Sequence, residues 1–187
     1  MSRLPLTEPG KLPPYLRELH DGAAEQDWST QHVARAFAPA PELLETYLTN
    51  FYYPWHSNAD DAAGVARLTP RIKELVRLRI ATLNGCETCK AARLAADSIP
   101  EQQARDIDGY ADSDDYSPAE RAAVRFAEML AVRHFDIDDH EIVVLREHFD
   151  DAEMLELMMM AGQYIGFGRV LATLQLETVA CPVPSAT

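Results

Sequence analysis

The chain has 187 residues, 47% of them hydrophobic, enough for one globular domain with a real core. A formal net charge of −13 and a pI near 4.8 disfavour nonspecific binding to nucleic acid or to an anionic membrane. Three cysteines, Cys86, Cys89 and Cys181, are too few for a disulfide scaffold, so a close pair reads as catalytic or metal-binding.

Residues 1–14 are interrupted by Pro5, Pro9, Pro13 and Pro14 and lack the apolar stretch of a secretory leader. No apolar run approaches the length of a membrane span, so the expectation is a cytoplasmic protein. Residues 1–34 read as an N-terminal arm with a short helix near 15–20, followed by a helix near 28–37; the main domain is 35–187. Pro39 and Pro41 break the pattern, and Pro41 suits the first position of a helix over 42–53. Residues 54–68 read as a loop or a short helical turn. Thr69-Pro70 is an N-cap and N1 pair whose helix should run to about 84, where Asn84-Gly85 is a stop signal. Further helices are predicted over 86–98, ended by Pro100, and over 101–108. Ser117-Pro118-Ala119-Glu120 is a capping box, opening a helix to about 134. Asp138 or Asp139 caps a helix through 149, and Asp150 or Asp151 starts the last long one, to about 177. No stretch alternates with β-branched enrichment, so the fold class is all-α, with about seven to eight helices.

In the last helix, Gly162, Gly166 and Gly168 suggest close packing, and Met154, Met158, Met159 and Met160 suggest a core or subunit interface. The aromatics Phe51, Tyr52, Tyr53 and Trp55 read as core packing in preference to the wall of an apolar pocket. Cys181, in a Pro-flanked tail, reads as incidental.

Charge reverses sharply along the chain. Residues 101–160 carry 17 acids and 5 bases, whereas 67–97 carry seven bases and three acids. The cysteine pair sits in that basic stretch. On a helix beginning near Cys86, a turn of about 100° per residue puts Cys86, Cys89 and Arg93 within an arc of roughly 60°. The two sulfurs can then meet, and Arg93 can lean back toward Cys89. A helix N-terminus and a nearby cation both favour thiolate, the nucleophilic form. Two other readings stay open. The pair can be two buried cysteines at helical spacing, or half of a zinc site, although no second C-x-x-C and no H-x-x-x-H is present. On the preceding helix Glu74 lies opposite Ile72, Leu75, Val76, Ile80 and Leu83 and is flanked by Leu78 and Ala81. That helix is apolar on most sides. A half-buried carboxylate there should have a raised pKa suited to proton relay, the alternative being a structural salt bridge. Arg79 falls within the apolar arc and requires an acidic partner.

The stretch from Leu68-Thr69-Pro70 through Glu74 and Arg79 to Asn84-Gly85-Cys86-Glu87-Thr88-Cys89 resembles the core motif of the carboxymuconolactone decarboxylase and AhpD-like alkylhydroperoxidase superfamily. Its redox-active members carry a glutamate twelve residues before the first cysteine, where Glu74 stands here. The segment from Ala36 to Leu44 and the run Phe167-Gly168-Arg169 extend the resemblance over about 35–177. The resemblance implies an AhpD-like helical fold, usually a homo-oligomer. It also implies thiol peroxidase or disulfide-exchange activity without haem, flavin or metal. The substrate would be an organic hydroperoxide or a disulfide, and the reductant an external thiol of unspecified kind. Cys89 would attack the peroxide, Cys86 would resolve the sulfenic acid as a disulfide, and Glu74 would join the proton relay.

One departure matters. Arg93 stands where the family usually has a histidine, four residues after the second cysteine, and Thr88 stands where some members have another. Arginine can stabilise a thiolate but cannot accept its proton. Glu74 through water, or a distant histidine such as His56, would have to substitute. Arg169 matches a family arginine that often follows an asparagine, here Gly168, and reads as structural or oligomer-forming. The same family also admits decarboxylase or lactone chemistry that does not use the cysteines. A non-catalytic redox sensor or oligomeric binding module is the third reading.

Overall fold

A computed structural model describes residues 2–23, 27–56, 65–93 and 95–176. Among these residues there is no strand, as the periodicity predicts. The helices are α1 (Pro14–Gly22), α2 (Trp28–Ala36), α3 (Pro41–Tyr47), α4 (Tyr53–His56), α5 (Pro70–Leu83), α6 (Glu87–Ala91), α7 (Glu101–Arg105), α8 (Pro118–Val132), α9 (Asp139–Arg146) and α10 (Asp151–Leu174), with short 3-10 turns between several of them. No helix among the described residues is long and apolar enough to cross a membrane.

Helix starts follow the capping chemistry. Thr69 Oγ1 accepts from the Ile72 N–H at 3.3 Å, and Pro70 fills the first helical position. Ser117 and Glu120 close a reciprocal box at α8, and Asp150 with Glu153 does the same at α10. Asp138 caps α9.

Helix interiors and ends depart from the sequence reading in several places; α7 and α10, for example, end three residues early, at Arg105 and Leu174. The helix predicted over 42–53 is divided by a π-helical turn, Leu48–Tyr52. Pro54 has no N–H to continue the α ladder, and the Thr49 hydroxyl donates to the Glu45 carbonyl at 2.7 Å. The helix predicted over 86–98 is only α6, followed by a 3-10 turn, Ala96–Ser98. Its short length coincides with Arg93 being drawn into ion pairs described below. α9 stops at Arg146, three residues earlier than predicted. The middle of the predicted 54–68 loop, residues 57–64, lies outside the described residues, as do Leu94, Glu177 and Cys181.

α5 is central, packed against both α8 and α10, which also meet each other. It buries Leu75, Val76, Leu78, Ile80 and Ala81, which meet Ala123, Val124, Phe126 and Ala127 of α8 and Met154, Leu157 and Met160 of α10. The small side chains of α8 allow close approach. Among the methionines, Met154 and Met160 are core residues, whereas Met159 is 60% exposed. Arg79 meets acids on two elements, Glu128 at 2.9 Å and Asp108. The N-terminal residues lie against the site side of the molecule. α1 packs on α2 and α3, and α2 on α6. The Arg3 N–H donates to the Leu174 carbonyl at 2.9 Å, and His32 Nδ1 donates to that of Leu176 at 3.0 Å.

Candidate redox site

α5 delivers the cysteine motif by stopping abruptly. Asn84 caps its C-terminus, and Gly85 adopts φ +60°, a conformation that costs a Cβ-bearing residue. The Cys86 N–H then donates back to the Ala81 carbonyl at 3.0 Å, and Cys86 becomes the N-cap of α6. Cys86 and Cys89 are joined by a disulfide, with Cα atoms 5.2 Å apart. The Cys89 N–H donates to Cys86 Sγ at 3.2 Å, a contact that a thiolate would strengthen. Cys86 is 0% exposed, whereas Cys89 is half-buried and lines a cavity.

That cavity measures about 140 Å³. Its wall is mostly apolar, with Leu44, Leu48, Phe167 and Leu171 beside Tyr47, Tyr52 and Tyr164. α2 contributes Val33, so the N-terminal residues form part of the enclosure. Tyr52 packs against the main core and also faces this cavity, so the aromatic cluster serves both of the uses weighed for it.

Glu74 is 0% exposed and directly behind the motif. Its carboxylate accepts three guanidinium N–H bonds: Arg77 Nε to Oε2 and Arg77 Nη2 to Oε1, each at 2.8 Å, and Arg93 Nε to Oε1 at 2.9 Å. Burial alone would raise its pKa, but the two arginines outweigh burial and hold it below the usual carboxylate range. The expectation of a raised, relay-competent Glu74 is therefore corrected: it is a clamped anion. Arg77 is 4% exposed and also donates through Nη1 to the carbonyl of Cys89, tying the motif to α5. Sequence reasoning missed Arg77, although its spacing of three from Glu74 was a legible signal.

Arg93 is likewise corrected. Because α6 ends at Ala91, the helical-wheel placement toward the Cys89 sulfur does not apply. Arg93 instead bridges Glu74 and Glu101, the latter at 2.7 Å. It joins buried Arg77 and Glu74 in a cluster behind the motif and is itself half-buried.

His56 lies beyond the π-helical turn and reaches α10. Its Nδ1 is 2.9 Å from the Tyr164 hydroxyl, and its ring stacks on Tyr52 with centroids 5.1 Å apart. Burial, with Arg77 and Lys73 adding their positive charge, pushes its pKa down to about 4, so the ring is neutral near pH 7.

α10 approaches the motif closely at one glycine. A Cβ on Gly168 would lie 2.7 Å from Asn84 Nδ2 and 3.6 Å from Cys89 Sγ, whereas Gly162 and Gly166 have nothing within 4 Å. Close packing thus applies to Gly168 alone of the three. The Asn84 amide donates to the Tyr164 and Ile165 carbonyls at 3.3 Å, and its oxygen accepts from Arg169 Nε at 3.1 Å. Among the described residues no group of three or more His, Cys, Asp or Glu side chains is placed to hold a metal ion.

Residues 52–129 match the family model described as the Carboxymuconolactone decarboxylase family. The fold is similar to that of the alkylhydroperoxidase AhpD core of an uncharacterised peroxidase-related protein from Ralstonia eutropha, with a TM-score of 0.74 and 20% identity over 94% of this chain and 90% of that one. It is also similar to a protein of unknown function from Agrobacterium tumefaciens whose name proposes AhpD-type antioxidant defence, with a TM-score of 0.60 and 22% identity over 74% and 91% of the two chains. No curated protein matches the chain in sequence.

Proposed function

We propose that this chain, whose residues 52–129 match the Carboxymuconolactone decarboxylase family model, is a thiol-dependent peroxidase or thiol–disulfide oxidoreductase of the AhpD-like kind. The observation that carries this reading is the asymmetry of the pair. Cys86 is fully buried, whereas Cys89 opens on an apolar cavity, with the two sulfurs close enough to bond. In the reduced protein Cys89 is the attacking thiolate and Cys86 the resolving thiol. The thiolate displaces RO⁻ from a hydroperoxide and becomes a sulfenic acid. The Cys86 thiol then attacks the Cys89 sulfur, closing the disulfide and releasing water, and an external thiol restores both groups. The mostly apolar wall favours organic hydroperoxides or disulfides over hydrogen peroxide. Arg77 and Arg93 supply positive charge near the motif, partly offset by Glu74 between them.

Intact mass spectrometry after one equivalent of cumene hydroperoxide tests the reading. A loss of two hydrogens is expected in the wild type and a stable added oxygen on Cys89 in Cys86→Ser. If neither product forms, the reading fails, and activity retained by a Cys86→Ser, Cys89→Ser double variant would favour decarboxylase-type chemistry. A cytoplasmic location and a homo-oligomer belong to the same reading. Leu155 and Met159, 63% and 60% exposed on α10, support self-association, which sedimentation would measure.

A further inference from the structure

The hydroperoxide step leaves one proton unaccounted for. When the Cys89 thiolate attacks the terminal oxygen, the O–O bond breaks and its electron pair departs on RO⁻. The clamped Glu74 is an anion with no proton to give, and Arg77 and Arg93 spend N–H groups on it. Tyr164 shares the wall of the cavity with Cys89, and its hydroxyl is 2.9 Å from His56 Nδ1. His56 Nε2 is buried and has no hydrogen-bond partner among the described residues.

A neutral imidazole carries a single N–H. Placed on Nδ1, it donates to the Tyr164 oxygen and leaves the tyrosine's own proton free to face the cavity. Release of the Tyr164 proton into the cavity requires this Nδ1–H form, because in the opposite tautomer the tyrosine donates to Nδ1 and an unpaired N–H is buried on Nε2.

We propose that Tyr164 is the proton donor to the departing oxygen, and that His56 is the positioning residue that turns its hydroxyl into the cavity; this rests on the peroxidase reading above. The step balances. Cys89–S⁻ and ROOH give Cys89–SOH and RO⁻, and RO⁻ takes the Tyr164 proton and leaves as ROH. The phenolate regains a proton from water, and the proton that Cys89 released on ionising neutralises the hydroxide. The groups facing the pair are Tyr47 from α3, Tyr52 from the π-helical turn, and Lys73, Glu74 and Arg77 from α5. Burial, reinforced by Tyr52, raises the Tyr164 hydroxyl well above its ordinary range, so it keeps its proton until a strong base appears. An alkoxide, the conjugate base of an acid about as weak as water, is such a base.

Leaving-group dependence tests this. tert-Butyl hydroperoxide expels an alkoxide, which needs a proton, and peracetic acid expels acetate, which does not. Stopped-flow oxidation of the reduced protein would be measured with both oxidants. Tyr164→Phe is expected to slow the hydroperoxide reaction about 100-fold and the peracid reaction less than about threefold. His56→Leu should show the same selective loss, and His56→Asn, which keeps a donor near the Nδ1 position, should restore much of the rate. Equal losses with both oxidants, or no loss with the hydroperoxide, would overturn the proposal and leave the peroxidase reading intact. A wild-type protein inert to the hydroperoxide would overturn both.

Discussion

Replacing Glu74 with glutamine keeps the shape of the side chain and removes its charge. The carboxylate accepts three guanidinium N–H bonds at 2.8, 2.8 and 2.9 Å, two from Arg77 and one from Arg93. An amide can accept only on its oxygen, and its NH2 group would face an Arg77 donor. At least one charge-assisted bond is lost, and Arg77, 4% exposed, is left without a counter-ion. Arg93 keeps Glu101 and is the smaller part of the loss. Removing one partner of a buried ion pair costs about 3–5 kcal/mol, out of a total stability of about 5–15 kcal/mol. For a chain of this size, that corresponds to a fall in Tm of about 6–20 °C. Urea and thermal unfolding of the oxidised wild type and Glu74→Gln, followed by far-ultraviolet circular dichroism, would measure the loss. A difference below about 1 kcal/mol would refute the reasoning, because it would mean that native Glu74 is already neutral and free to relay protons.

Acid should destabilise the fold in an identifiable window. His56 falls from the ordinary 6.5 to about 4 on folding, so between these values the unfolded chain binds a proton that the native state refuses. Its stability is fully present above pH 6.5 and lost as pH falls toward 4, by about 3 kcal/mol, and unfolding of His56→Asn should lack this component. Ser117→Ala should cost about 1 kcal/mol in urea unfolding by opening the α8 capping box, with no change in the rate of disulfide closure. Gly168→Ala should cost about 1–3 kcal/mol because its Cβ would meet the Asn84 amide at 2.7 Å. Gly162→Ala, in open space on the same helix, should instead stabilise by about 0.8–1 kcal/mol, as thermal unfolding would report.

The helix starts and the cysteine motif were legible because their signals are local. Thr69, Ser117, Asp138 and Asp150 satisfy backbone N–H groups two or three residues away, and that reach is visible in the linear chain. Helix ends were less legible where side chains turned inward. The length of α6 could not be read from periodicity, because Arg93 is engaged by Glu74, nineteen residues away, and by Glu101. The need of Arg79 for an acid was visible in its apolar surroundings, but the identities of Glu128 and Asp108 were not.

The pair Cys86 and Cys89, with Glu74 behind it, was determined by the sequence alone, through spacing and charge. The electrostatic character of that site was decided only by the tertiary structure. Burial and nearby cations push a carboxylate pKa in opposite directions, and the sign for Glu74 depended on two guanidinium groups arriving within 3 Å. The same holds for His56 and Tyr164, 108 residues apart and joined by one hydrogen bond. No local pattern encodes such a contact. It exists because α4 ends where the His56 ring reaches the Tyr164 hydroxyl on α10.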